Sequence, residues 1–171
     1  VTDMPKGIDQ SIKIVPLWDD FARLQHPFGS RNPSCYRRLK AFSVEAREMF
    51  GERFVSIDLD CVITADMSPL WDVPDEFKIW GDTNRTTPYN GSMFIMTAGS
   101  RRKVWDEFKP DTSPHYTRKL GYFGSDQAWI AACLGKNEAR WTRADGVYSW
   151  RNEVKPSGGR LPSNACVVMF H

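Results

Sequence analysis

The sequence predicts an α/β fold, because short apolar runs of strand length alternate with segments of helical spacing. Three observations carry this. RFVSI, residues 53–57, is a compact strand-like run that ends against two acids. Just before it, Tyr36, Leu39, Phe42, Ala46 and Met49 recur at helical spacing and define one apolar stripe. Downstream, Ser125 stands where a helix N-cap belongs, ahead of the apolar residues Ala128, Ile130, Ala131 and Leu134.

Taken in order, IKIVPL at 12–17 predicts a short buried strand. Residues 19–30 predict a loop, with Pro27 and Gly29 as breakers. A helix is predicted over 33–50, capped by Asn32 or Ser34, with Pro33 in its first turn and Gly51 after its end. A strand over 53–57 then delivers Asp58 and Asp60 at its carboxyl end. Further strands are predicted at 77–80, 92–98, 146–150 and 165–170, and helices at 100–108 and 125–134. Residues 81–91 and 109–117 are polar, rich in turn formers, and long enough to close over a ligand. In such a fold, ligands gather beyond the carboxyl ends of the strands.

The 171 residues suit one domain, 1–171. With 41% apolar and 26% charged residues, the chain can bury a core and stay in water. A net charge of +2 gives no basic stripe for nucleic acid. No membrane-spanning run is present, so no membrane span is expected. Cys35, Cys61, Cys133 and Cys166 are widely spaced, which predicts free buried thiols and a reducing, cytoplasmic setting. Seven Trp and ten Phe exceed what a core of this size needs, a mild pointer to a sugar-binding cleft; Trp71, Trp80, Tyr89, Tyr116 and Trp129 are the platform candidates, and the core is the commoner place for such rings. Val1 at the start, and His171 directly after ACVVMF, lead us to expect a piece of a longer protein, incomplete at both ends.

The pair in IDLDCVIT, Asp58 and Asp60, supports three readings. Asp favours turns, so the pair can be a turn or cap feature. It also resembles the first motif of haloacid-dehalogenase-type phosphatases, with Asp58 as nucleophile and Mg²⁺ beside it. Against that, the motif comes after a strand and a helix, Cys61 follows where Gly is usual, and neither Asp82 nor Asp126 has a partner acid beside it. In the third reading the two side chains project to one side of the strand end and hold Mn²⁺ or Mg²⁺ against a diphosphate, whose departure needs its charge neutralised. His171, at the end of another apolar run, is the candidate third ligand if the two strand ends meet.

Motifs along nearly the whole chain resemble, in order, those of family 8 glycosyltransferases, the family of glycogenin-like and lipopolysaccharide galactosyl- and glucosyltransferases. CYRRLKAFS is similar to a helix with a basic residue ahead of Leu, IDLDCVITADMSPLWD to the metal motif and the segment after it, PYNGSMFIM to an Asn-containing strand, GSDQAWIAACLG to an Asp-Gln helix start, and VVMFH to a strand ending in a metal-binding His. The resemblance implies a three-layer α/β/α, Rossmann-like GT-A fold with a mostly parallel mixed sheet, lacking its first strand-helix-strand. It implies hexosyl transfer with retention, from a nucleotide-sugar donor, UDP-sugar in this family, to a glycan, lipid-linked or protein acceptor. Asp58, Asp60 and His171 would bind Mn²⁺ or Mg²⁺, and Arg38, Asp58, Asp60 and Asn90 the donor. Asn90, Asp126 and Gln127 would act at the sugar, with Asp126 facing positive charge on the anomeric carbon. Asp126 can also be read as a helix-start acid favoured by the macrodipole, Arg38 as part of a solvated face with Arg37, and Asn90 as a turn residue. Arg38 stands where glycogenin-like members carry Lys, which keeps the charge and changes the donor geometry. The base-binding strands and the Gly-x-x-Lys-Pro that follows the family's His have no counterpart here. A non-catalytic, transferase-like module is the remaining alternative.

Overall fold

A computed structural model describes residues 1–24, 35–81, 87–122 and 125–170. Its strands are β1 (Arg53–Ile57), β2 (Cys61–Ile63), β3 (Phe77–Gly81), β4 (Tyr89–Thr97), β5 (Ala139–Trp141), β6 (Val147–Ser149) and β7 (Val167–Met169). They form two sheets, one of order β1-β4-β3-β5 and a smaller one of order β2-β7-β6. The helices are α1 (Ala46–Phe50), α2 (Ser68–Trp71), α3 (Lys103–Asp106), α4 (Ser113–Lys119) and α5 (Asp126–Leu134), with an eight-residue 3₁₀ helix at Cys35–Phe42, short 3₁₀ turns at Arg143–Asp145 and Lys155–Ser157, and a π-helical turn at Trp150–Val154.

The predicted α/β class and mixed pairing are present. The balance of directions differs: β1–β4, β3–β4 and β2–β7 are antiparallel, while β3–β5 and β6–β7 are parallel. Antiparallel ladders therefore outnumber parallel ones among the described residues. Parallel neighbours need a long crossover, and β3 turns back into β4 without one.

β4 is the spine of the larger sheet and alternates its side chains between two cores. Phe94 and Met96 face a helical layer, where they meet Tyr36, Leu39 and Phe42 of the 3₁₀ helix and Trp129 and Ile130 of α5. Met93 and Ile95 face the other way, with Trp80 and Trp141, onto Leu70 of α2 and onto Val147, Val167 and Met169 of the smaller sheet. The larger sheet is thus covered on both faces, each fully buried side chain contributing roughly 1.5–3 kcal/mol.

The helix predicted at 33–50 is interrupted at 43–45, and the caps proposed at Asn32 and Ser34 fall outside the described residues. Tyr36, Leu39 and Phe42 are spaced by three, the repeat of a 3₁₀ helix, so that winding stacks all three on one face. Residues 12–17 form no strand; a single bridge joins Thr2 to Pro16, and Ile12 and Ile14 are exposed. The helix at 100–108 shortens to α3, and the predicted loop at 109–117 contains the start of α4, where Pro114 sits in the first turn. The cysteines are free, as expected, but half-buried rather than fully buried. Trp80, Tyr89 and Trp129 are core, Trp71 packs edge-on against Trp141, and Tyr116 is exposed.

Candidate functional site

β4 carries the irregularity around which the site is built. Ile79 of β3 pairs with Phe94, but the next residue, Trp80, pairs with Asn90, so 91–93 bulge away from β3. Bulges of this kind re-aim side chains and commonly border functional sites. Asn90 is buried, and its Oδ1 accepts the Ser92 N–H at 2.9 Å, which holds the bulge in shape. The freed Ser92 carbonyl accepts the Asp58 N–H at 2.8 Å, fixing the first acid where β1 ends.

Arg38 reaches over this bulge from the 3₁₀ helix. Its Nη2 donates to Asp58 Oδ1 and its Nη1 to Asp126 Oδ2, both at 2.6 Å. Asp126 is the first residue of α5, where the macrodipole favours an acid, and Ser125 caps that helix by accepting the Ala128 N–H. Asp126 is only 2% exposed, and Arg38 is the cation that partners it there. Gln127 is next along the chain: its Oε1 accepts the Gly91 N–H and its Nε2 donates to Thr87 Oγ1, each at 3.4 Å.

Gly91 makes room for the pair. A Cβ there would lie 2.5 Å from Arg38 Nη1 and 2.8 Å from Asp126 Oδ2, closer than packed atoms approach. Its φ is unremarkable, so side-chain space and not backbone freedom requires glycine. A glycine inside a strand is the signal that could have revealed this close approach in the sequence. Nothing local marks Cys35, whose Sγ accepts the Asp126 N–H at 3.5 Å.

The electrostatics are set by burial. For Arg38, burial disfavours the charge, but Asp126 and then Asp58 outweigh it and hold the guanidinium protonated well above its usual range. Burial pushes Asp58 above the ordinary carboxylate range, while Arg38 and the Ser92 hydroxyl pull it back. The Cys35 thiol is pushed well up by burial and by Asp126, so it offers no thiolate at neutral pH.

Asp60 stands apart. It is exposed, and among the described residues its carboxylate has no hydrogen-bond or ion-pair partner. Its backbone belongs to the smaller sheet: the Asp60 carbonyl accepts the Phe170 N–H at 2.8 Å, next to the Cys61–Met169 pair. The two strand ends do come together, through antiparallel pairing of the strand that follows Asp60. His171 itself lies outside the described residues. No group of three or more His, Cys, Asp or Glu side chains placed to hold a metal occurs among those described. The oxygen donors of Asp58 and Asp60 fit Mn²⁺ or Mg²⁺ in kind, and a further ligand has to come from elsewhere.

A cleft of about 490 Å³ opens beside this cluster. Leu17, Trp18, Phe50 and Phe54 line it, together with Arg38 and Asp58. Leu59, between the two acids, also lines the cleft and is fully exposed.

Arg38, Asp58, Asn90, Asp126 and Gln127, predicted from distant parts of the chain, thus meet at one bulge, with Asp60 just beyond. No family model matches the sequence, and no curated protein matches it significantly. Solved structures do match in fold. A galactosyltransferase, LgtC, in complex with donor and acceptor sugar analogues, is 15% identical with a TM-score of 0.54; the match covers 91% of this chain and 64% of that one. An active-site mutant of LgtC gives 14% identity, the same TM-score and the same coverage. The glycosyltransferase GlyE of Streptococcus pneumoniae TIGR4 gives 11% identity and a TM-score of 0.52, over 84% of this chain and 38% of that one. The chain therefore spans 64% of the length of LgtC and has the mixed α/β fold that these glycosyltransferases share.

Proposed function

We propose that this chain is part of a metal-dependent glycosyltransferase that moves a hexose from a nucleotide-diphosphate sugar, a UDP-sugar by preference, to an acceptor with retention. The observation that carries the reading is the convergence of Arg38, Asp58 and Asp126 at the β4 bulge, where Arg38 and Asp58 also line a cleft with Trp18, Phe50 and Phe54, in a fold shared with glycosyltransferases.

Asp58 and Asp60, with His171, would hold Mn²⁺ or Mg²⁺, and the bound ion would supply charge neutralisation at the diphosphate. Trp18 and the apolar wall offer a planar base a dry surface. Arg38 adds a fixed positive charge on the donor side that survives at any working pH. Asn90 orients the sugar by keeping the bulge open. Asp126, paired with Arg38, presents a carboxylate to positive charge developing at the anomeric carbon. Gln127 fixes the Gly91 backbone beside it.

Calorimetric titration with UDP, with and without Mn²⁺, tests this. UDP affinity that requires metal and is lost in Asp60→Ala supports transfer. Turnover of a phosphate ester without UDP affinity would instead assign Asp58 the role of a phosphatase nucleophile. Absence of both would leave a non-catalytic module.

A further inference from the structure

Resting on the transferase reading, we propose that Trp150, Arg151, Lys155 and Phe170 form an acceptor subsite that takes a sugar unit carrying a phosphate. Trp150 and Phe170 are stacked, with ring centroids 5.1 Å apart and planes 20° apart. Phe170 remains 39% exposed, and Trp150 is half-buried. Together with Arg151 and Lys155 the two rings line an open depression of about 240 Å³. That lies below the roughly 300–1,000 Å³ of drug-sized pockets, so it suits one sugar ring and not a nucleotide.

The charge pattern points to an anion. Arg151 and Lys155 are both exposed and have no ion-pair partner among the described residues. Glu153, the one acid between them, is turned inward: its Oε2 accepts the Ser149 N–H at 2.8 Å. Two cations without a local counter-charge beside an aromatic surface match a ligand with an apolar C–H face and a phosphate. The π-helical turn Trp150–Val154 carries Arg151, and Lys155 follows directly as its C-cap, so one short stretch of chain supplies both cations to the depression.

The depression is tied to the site already described. The Phe170 N–H bonds the Asp60 carbonyl at 2.8 Å, so the platform begins one peptide from the exposed acid. The donor cleft is lined by other residues, which leaves this surface for the second substrate.

Calorimetry of the whole chain at low salt with glucose 6-phosphate, glucose and inorganic phosphate tests the proposal. Glucose 6-phosphate should bind at least about tenfold more tightly than either half alone. The double variant Arg151→Glu/Lys155→Glu, both positions exposed, should lose about tenfold of that affinity with its melting temperature kept. Phe170→Ala should weaken glucose 6-phosphate and glucose alike. Equal affinity for glucose 6-phosphate and phosphate, or wild-type affinity in the double variant, overturns the subsite. Loss of Mn²⁺-dependent UDP affinity in the double variant also overturns it, since the cations would then serve the donor. The wild-type UDP titration reports separately on the transferase reading.

Discussion

Asp58 and Asp60 are separated by one residue yet live in different parts of the molecule. Asp58 is bonded through its N–H to β4 of the larger sheet and through its carboxylate to Arg38. Asp60 is bonded through its carbonyl to Phe170 beside the smaller sheet and leaves its carboxylate in solvent. IDLDC is therefore the seam between two sheets. One acid already shares an oxygen with a cation of the protein itself, and the other has its whole carboxylate in solvent. Residue spacing alone treats the two as equivalent; their surroundings make them unlike.

The contrast can be broken from the buried side first. Arg38→Met strands Asp126 in the interior and should cost about 3 kcal/mol in urea unfolding, less than for a fully enclosed pair because the Arg38 side chain is partly exposed. Arg38→Lys should recover part of this, having charge but no fork to span two acids. Gly91→Ala should cost about 2 kcal/mol by forcing Arg38 and Asp126 apart, with UDP affinity falling in parallel. Asn90→Ala removes the bond that shapes the bulge and should cost about 1 kcal/mol by the same measurement. Asp60→Asn should change stability by less than about 0.5 kcal/mol, yet lower Mn²⁺-dependent UDP affinity by about tenfold or more in calorimetry. If Asp60→Asn destabilised the fold as much as Arg38→Met, the two acids would not differ as described.

Some of this was legible in the residues. β1 matches its predicted bounds, since Phe54, Val55 and Ile57 make a short strand-like run between Gly51 and an acid. α5 was marked by its cap and its apolar content. The residues 12–17 were misleading, because apolar composition suggests burial only where a neighbouring strand exists to provide it, and there a single bridge is formed. β2 and β5, three residues each, are too short to show a period. The identity of the site residues was legible; their arrangement was not. Arg38 meets Asp126 across 88 positions of sequence, and no local pattern encodes that closure; Gly91 inside its strand signals a close approach there but not by which residues.

The position of β7 between β2 and β6 has a consequence for biogenesis. Thr64 bonds the Ala165 carbonyl across 101 residues, so the smaller sheet closes by pairing an early segment with a late one. During synthesis, the Arg38–Asp126 cluster can assemble once α5 has left the ribosome, whereas the surroundings of Asp60 must wait until residue 170 emerges. A nascent chain would thus pass through a stage in which half of the site is built and the other half is still open.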